Sequence, residues 1–181
     1  DGFSDYIPNK VLGEVLMKNF QEAGAPDFDS EDHELAKNIQ NTFSDQIMRE
    51  AAAAVESQHG ENAAAAMEGK VLADVVFPIN PLKTLMPGST DVGDVSYQAP
   101  TGQILTACKA FGTPGHSWQE VSQSGSSIGR KGMITAAKVM GMAAVDVFQD
   151  PQIIKDAKKE FTAAVKDGYQ FPIPDEIKPD I

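Results

Sequence analysis

Two short apolar runs decide the predicted fold class: KVLADVVFPIN at residues 70–80 and TGQILTACKAFG at residues 101–112. Both contain β-branched side chains and are bounded by proline or glycine, as buried strands often are. Helical patterns lie on either side of them. We therefore expect an α/β layer architecture in which short buried strands are flanked by long helices.

The helical patterns carry apolar residues at three- and four-residue intervals, together with capping residues at their ends. The predicted helices are residues 9–24 with Asn9 as N-cap and Gly24 as stop, a helix with Ser30 as N-cap that can extend into the alanines at 51–54, residues 128–149, and a last helix with Asp150 as N-cap, Pro151 at its first position and Gly168 at its end. Residues 55–69 hold few large apolar side chains and are broken by glycines, which predicts a surface excursion or a variable insertion.

The helix at 128–149 carries many small residues, which predicts close packing against a sheet. Its predicted packing side is formed by Met133, Ala136, Ala137, Met140, Ala144, Val147 and Phe148.

Composition excludes several classes of protein. The 181 residues carry a formal net charge of −11, which disfavours nucleic acid and anionic membrane surfaces as partners. No apolar run approaches the length of about 20 residues that crosses a bilayer. Cys108 is the single cysteine. A reducing cytoplasm is the expected location, with Cys108 as a small buried apolar side chain.

The loop chemistry is concentrated in two glycine-containing stretches, MPGSTDVGDVSYQAP at residues 86–100 and GTPGHSWQE at residues 112–120. His116 follows Pro114 and Gly115, and a histidine in a rigid loop suits a metal ligand or general base. A structural histidine is the alternative. Asp91 and Asp94 suit metal ligation or orientation of a ligand, or they only cap turns.

The remaining candidate groups favour structural roles. His33 and His59 lie in polar surroundings and are expected at the surface. GSSIGRKG at residues 125–132 lacks the spacing of a phosphate-binding loop, so Ser126 is expected to cap a helix with Arg130 and Lys131 in solvent.

Several stretches together resemble the zinc-dependent amidohydrolases and peptidases of the aminoacylase and carboxypeptidase superfamily. The resemblance is carried by YIPNKVLGEVLMKNFQEAGAPDFDSEDHELAKNIQ, PGSTDVGDVS, FGTPGHSWQEVSQSGSSIGRKGM with the following AAKVM, and FPIP. It covers nearly the whole chain and is strongest to the branch of aminobenzoyl-glutamate hydrolases of the B-subunit type. The pair STDVGDVS and GTPGHSW is its most specific part.

The resemblance implies the roles of individual residues. His116 matches the late metal ligand, for zinc or manganese, in a centre that holds two ions in the complete enzyme. Asp91 and Asp94 match carboxylates near that centre, where they support and orient catalytic groups. Thr90 and Ser96, in the same stretch, are assigned to substrate binding. The implied substrates are N-acyl or N-aroyl amino acids such as aminobenzoyl-glutamate, whose amide bond is cleaved.

The resemblance also implies a division of the chain. Residues 1–8 match the end of a lid or dimerisation domain, and residues 9–181 match the C-terminal half of a zinc-exopeptidase-like catalytic domain. The first residue is not methionine, and the remaining metal ligands and the glutamate base have no counterpart here. We therefore expect a C-terminal segment that is inactive alone and pairs with an N-terminal half, with a dimer as the complete enzyme. The alternative is a non-catalytic interaction or regulatory subunit that pairs with a chain carrying those ligands.

Overall fold

The structure is a computed structural model that describes residues 2–79, 88, 90–170, 173–174 and 176–177. Its regular elements over these residues are helices. They are α1 (Lys10–Ala23), α2 (Ser30–Gln40), α3 (Asp45–His59), α4 (Glu61–Met67), α5 (Val92–Val95), α6 (Trp118–Ser124), α7 (Ser127–Gln149) and α8 (Pro151–Ala164). In the described part of the chain, no helix is long and apolar enough to cross a membrane.

The predicted α/β fold is wrong, because the described residues contain no strand. Residues 71–79 and 101–109 form bends and irregular backbone where strands were expected. A strand is defined by a ladder of hydrogen bonds to a neighbour. Within the described residues one backbone hydrogen bond joins the two runs, from Phe111 N to Val71 O at 2.8 Å. The two runs are therefore not paired as strands, and Val71 packs against the core instead.

The two runs contribute to a core that they share with helices. Leu72 and Ala110 pack with Ala36 and Ile39 of α2 and with Ile128 of α7, and the partly buried Phe28, Leu35, Phe43 and Val71 surround them. Leu72 and Ala110 of the predicted strands are thus buried among helices, while Ile79 and Leu105 are exposed.

The predicted start of α1 is confirmed, and the structure shows additional hydrogen bonds between this start and α8. Asn9 Oδ1 accepts a hydrogen bond from Leu12 N, as an N-cap does, while Asn9 Nδ2 donates to Ala157 O of α8 at 2.9 Å. Glu160 of α8 accepts from the backbone N–H groups of Lys10 and Val11 at 2.8 and 3.1 Å. The first turn of α1 is therefore fixed directly on α8.

The second helix differs from the prediction at both ends. Asp29 is its N-cap, in a capping box with Asp32, and the helix ends at Gln40. The alanines at 51–54 belong to α3, which has its own N-cap, Ser44. The expected surface excursion at 55–69 is helical, since it contains the end of α3 and the whole of α4; it is mostly exposed, with Ala63 and Met67 buried.

The first turn of α7 is joined to α2 by charge. Ser126 caps α7, as predicted. Lys131 was expected in solvent, but its Nζ binds Asp29 Oδ2 at 2.7 Å and the buried Asp32 Oδ2 at 2.5 Å. Burial raises the pKa of Asp32, but hydrogen bonds from Lys131 and others outweigh it, so that the pKa is lowered overall. Asp150 caps α8 with Pro151 in its first turn, as predicted, but α8 ends at Ala164 and not at the predicted Gly168.

The packing side predicted for α7 is also wrong. The buried side is formed by Ile128, Gly129, Gly132, Thr135, Val139 and Ala143, and it lies against α1 and the core. Gly132 is required there, because a Cβ at this position would overlap the carbonyl oxygen of Ala107. Met133, Met140 and Phe148, expected to be packed, are exposed.

Candidate functional site

The His116 loop connects residue 112 to α6, and its backbone is unusual at the histidine itself. His116 has a φ of +55°, and it is the one described non-glycine residue with a positive φ. The left-handed region is uncommon for residues with a Cβ, so the surrounding contacts must hold it there. Its side chain is exposed to solvent. The loop therefore presents the imidazole outward from a constrained backbone.

Glu120 of α6 provides the main constraint. Its Oε2 accepts a hydrogen bond from His116 N at 2.7 Å, and its Oε1 forms an ion pair with Lys109 Nζ. Lys109, together with the His116 N–H, lowers the pKa of Glu120 below its ordinary value. Both carboxylate oxygens are thus used to fix the histidine backbone against the run at residues 101–112.

The amide of Gln123 holds the start of the loop from inside. Gln123 is fully buried, and its Oε1 accepts from Ala110 N at 2.7 Å. Its Nε2 donates to Thr113 Oγ1 at 3.2 Å and to Gln119 O at 2.9 Å. Thr113 Oγ1 in turn donates to Ala110 O at 2.7 Å. The residues before His116 are therefore fixed by a buried polar network.

Neither Glu120 nor Gln123 was among the predicted site residues. A signal for Glu120 was present in the spacing Ser117-x-x-Glu120, which is that of a capping box. Ser117 Oγ does accept from Glu120 N at 3.2 Å, but the glutamate binds the N–H of His116, one residue before the cap. No comparable pattern points to Gln123.

A cleft of about 520 Å³ lies beside this loop. Its lining includes Cys108, Lys109, Thr113, Glu120 and Met133. Cys108 was expected to be buried, but it is half-buried and faces this cleft. The cleft thus combines one ion pair, one thiol and apolar surface.

The second predicted stretch forms α5 and its flanks, and here most of the polar groups have structural partners. Met86, Pro87 and Ser89 lie outside the described residues. Thr90 Oγ1 accepts from Val92 N at 3.3 Å, and Asp91 is exposed. Asp94 Oδ1 accepts from Ser4 N at 3.2 Å and from the Tyr169 hydroxyl at 2.9 Å.

The electrostatics of Asp94 follow from these partners. Hydrogen bonds from Ser4 and Tyr169 lower the pKa of the carboxyl. Burial, with the Asp94 hydrogen bond next, raises the pKa of the Tyr169 hydroxyl. Asp94 is thus ionised at neutral pH and joins both terminal segments to α5.

Ser96 is buried, and its hydroxyl both donates and accepts a hydrogen bond. Its Oγ donates to Gly93 O at 2.5 Å and accepts from Ile7 N at 2.9 Å. A Cβ at Gly93 would overlap Ser4 O, so the glycine allows the N-terminal segment to lie directly on α5. Substrate binding by Ser96 would require these hydrogen bonds to be exchanged. The proposed division of the chain at residue 8 stays a prediction.

The structure does not combine the predicted site residues into one metal centre. Among the described residues there is no group of three or more His, Cys, Asp or Glu side chains that could hold a metal ion. Asp91, Asp94, Thr90 and Ser96 share α5 and its flanks, while His116 lies in the loop before α6. Their assigned roles stay predictions.

The other two histidines differ from each other. His33 is in the first half of α2 and partly exposed. His59, expected at the surface, is half-buried and stacks on Phe77 with ring centroids 4.8 Å apart. Its buried Nδ1 has no hydrogen-bond partner among the described residues.

Comparison with known proteins gives one informative similarity. The chain is 34% identical over 180 residues to the B subunit of p-aminobenzoyl-glutamate hydrolase from Escherichia coli (strain K12). The match includes 97% of this chain and 37% of that relative, so the chain spans little more than a third of the relative's length. No protein-family model matches the chain, and no solved structure matches it.

Proposed function

We propose that the chain is the C-terminal catalytic-domain segment of a metal-dependent amidohydrolase that cleaves the amide bond of N-acyl or N-aroyl amino acids. The observation that carries the proposal is the 34% identity to the p-aminobenzoyl-glutamate hydrolase of Escherichia coli, which extends over 97% of the chain. Aminobenzoyl-glutamate is accordingly the first substrate to test. The complete enzyme would act in the cytoplasm as a dimer, with an N-terminal half beside this segment.

His116 is the proposed contribution of this chain to a centre of two divalent ions, zinc or manganese. Its exposed imidazole, on a backbone fixed by Glu120, suits a ligand that must be aimed before the metal arrives. Catalytic zinc in proteins usually has about three protein ligands. The described residues offer no such group, so they do not fit a complete centre alone, and we derive no catalytic step through the ions.

Hydrolysis of an amide requires a water that loses a proton and a carbonyl oxygen whose developing negative charge is stabilised. For this chain we propose supporting roles. Asp91 is exposed and able to orient a neighbouring group, and ionised Asp94 keeps α5 in place through Ser4 and Tyr169. Thr90 would contact substrate from the exposed flank of α5, and Ser96, directly after α5, would contact it only by exchanging its hydrogen bonds with Gly93 and Ile7.

The proposal predicts that the encoded protein is longer than these 181 residues, and the test compares that longer protein with the 181-residue chain. We expect the longer protein to release p-aminobenzoate from p-aminobenzoyl-glutamate, measured by chromatography, and to lose activity when the metal is chelated. The 181-residue chain alone should release none. His116→Ala in the longer protein should abolish turnover, while His33→Ala, a histidine away from the loop, should not.

Two results would contradict the proposal. One is hydrolysis by the 181-residue chain alone, which would show that the catalytic groups are all present in it. The other is an unchanged kcat in the His116→Ala protein. A non-catalytic subunit is the second candidate, since the relative's name designates one subunit of an enzyme. Activity that appears only when a separate chain is added would favour it.

A further inference from the structure

Helix α7 is apolar on two opposite sides, but only one of them is covered. The covered side, which includes Val139 and Ala143, lies against α1 and the core. The opposite side carries exposed large apolar residues over four turns. These are Met133, Ile134, Met140, Val145 and Phe148, which we call the outer face of α7. Met133 is 59% exposed, Met140 55% and Phe148 85%.

The outer face is unlike the rest of this acidic chain. Residues 133–148 are all described, and Lys138 is the one charged side chain among the exposed residues of this stretch. Asp146 lies away from the outer face, where Asn19 and Lys18 bind it. A helix that faces water normally presents charged residues there, and a helix that is apolar all round is normally buried. The outer face therefore has the composition of a buried surface.

Apolar exposure continues on the elements next to α7. Trp118 and Val121 are exposed on α6, which packs on α7, and Leu105 is exposed in the run at residues 101–112. Single exposed apolar residues are normal on monomers, whereas several on one face of a helix and on the elements beside it are typical of an interface.

We propose that the outer face of α7 is the docking surface for the remainder of the enzyme, the polypeptide that corresponds to the part of the relative outside the match. This inference rests on the proposed function. The chain spans only 37% of the relative's length, so a large further polypeptide is the occupant that the comparison supplies. A second copy fits less well, because it would bring together two chains of net charge −11. The occupant should present apolar side chains to Met133, Met140 and Phe148.

Methionine oxidation tests the proposal at two points on the outer face. The longer protein and the 181-residue chain are treated with dilute hydrogen peroxide, and sulfoxide is measured on each methionine by peptide mass spectrometry. Oxidation requires access to the sulfur, so Met133 and Met140 should react about tenfold more slowly in the longer protein. Met67, which is 3% exposed in the core, is the internal control and should react slowly in both.

A pair of variants separates docking from folding. Met140→Glu places a charge on the outer face, while Ile154→Glu places one on an exposed apolar position of α8. In the 181-residue chain, both should keep the wild-type circular dichroism and urea midpoint. In the longer protein, Met140→Glu should return the oxidation of Met133 to the rate of the isolated chain, and Ile154→Glu should leave it slow.

Equal oxidation of Met133 in the longer protein and in the isolated chain would overturn the proposal. So would an encoded protein that consists of these 181 residues alone, or a stable dimer of the isolated chain in which Met133 and Met140 are already slow. Hydrolysis of p-aminobenzoyl-glutamate is measured on the same samples. Protected methionines without hydrolysis would contradict the proposed function alone, and hydrolysis with reactive methionines would contradict the docking surface alone.

Discussion

Replacing Gln123 with leucine should lower the free energy of unfolding by about 3 kcal/mol, because Gln123 is the buried anchor of the His116 loop. The side chain has no exposed area and makes three hydrogen bonds, with Ala110 N, Thr113 Oγ1 and Gln119 O. Leucine has a similar volume, so the change removes these bonds without creating a large cavity.

The magnitude follows from the individual contacts. Each lost hydrogen bond contributes about 1 kcal/mol, and leaving the Ala110 N–H buried without an acceptor costs about 1 kcal/mol more. The additional apolar surface of leucine offsets about 1 kcal/mol of this loss. The Thr113 hydroxyl keeps its bond to Ala110 O, so its loss is limited to the Gln123 amide.

The measurement is urea unfolding followed by circular dichroism at a helix band, with wild type and variant at the same protein concentration. Gln21→Leu, at an exposed position of α1, is the matched control and should change the free energy by less than about 0.5 kcal/mol. A Gln123→Leu protein as stable as the control would refute the reasoning, since it would mean that water or other groups replace all three contacts.

Two further changes test the packing of α7 and the charge on α5. Gly132→Ala should lower the free energy of unfolding by about 1–3 kcal/mol, because the added Cβ has no room. Gly141→Ala on the same helix places its Cβ in open space and should raise that free energy by up to about 1 kcal/mol. Equal urea midpoints for the two variants would contradict this account. Hydrogen bonds from Ser4 and Tyr169 lower the pKa of Asp94 in the folded chain, so its contribution to stability is complete above the ordinary value of 3.8 and is lost as the pH falls through the lowered pKa. Tyr169→Phe removes one donor and should raise that pKa, measured by NMR of the carboxyl carbon, and an unchanged pKa would show that the hydroxyl contributes little.

The starts of α1, α7 and α8 could be predicted because their determinants are local. Asn9, Ser126 and Asp150 each accept a hydrogen bond from an N–H two or three residues later, and this interaction lies within a few residues of sequence. The exception at α2 is also local. Asp29, one residue before the predicted cap, is a better acceptor there because Asp32 completes a reciprocal pair with it.

The strand prediction was wrong because a strand needs a neighbouring strand to form hydrogen bonds with, and the composition of one segment does not show whether such a neighbour exists. The runs at residues 70–80 and 101–112 have the apolar, β-branched character of strands, yet their described backbone groups share one hydrogen bond. Leu72 and Ala110 of these runs pack against α2 and α7, where helix surfaces provide the apolar contacts. The composition thus predicted the burial of residues such as Leu72 and Ala110. Whether the backbone forms a strand depends on residues that are distant in the sequence.

The prediction of the packing side of α7 was wrong for a different reason. Both sides of the helix are apolar, so periodicity could not choose between them. Gly132 was the informative residue, because the Ala107 carbonyl occupies the place of its missing Cβ. On a helix that is apolar on both sides, small residues can therefore indicate where a neighbouring backbone approaches closely. That side is the buried one.

The predicted site residues differ in whether their polar side-chain atoms already form hydrogen bonds within the fold. Ser96 and Asp94 use theirs within the fold, on Ile7, Gly93, Ser4 and Tyr169. His116 is the opposite case, because the contacts of the loop fix the backbone of the residue and leave its imidazole in solvent. A left-handed histidine costs about 1 kcal/mol or more, which a purely structural loop could avoid with glycine at that position. That combination of a constrained backbone and an exposed imidazole is the physical reason to begin with His116 when the chain is tested for metal and substrate.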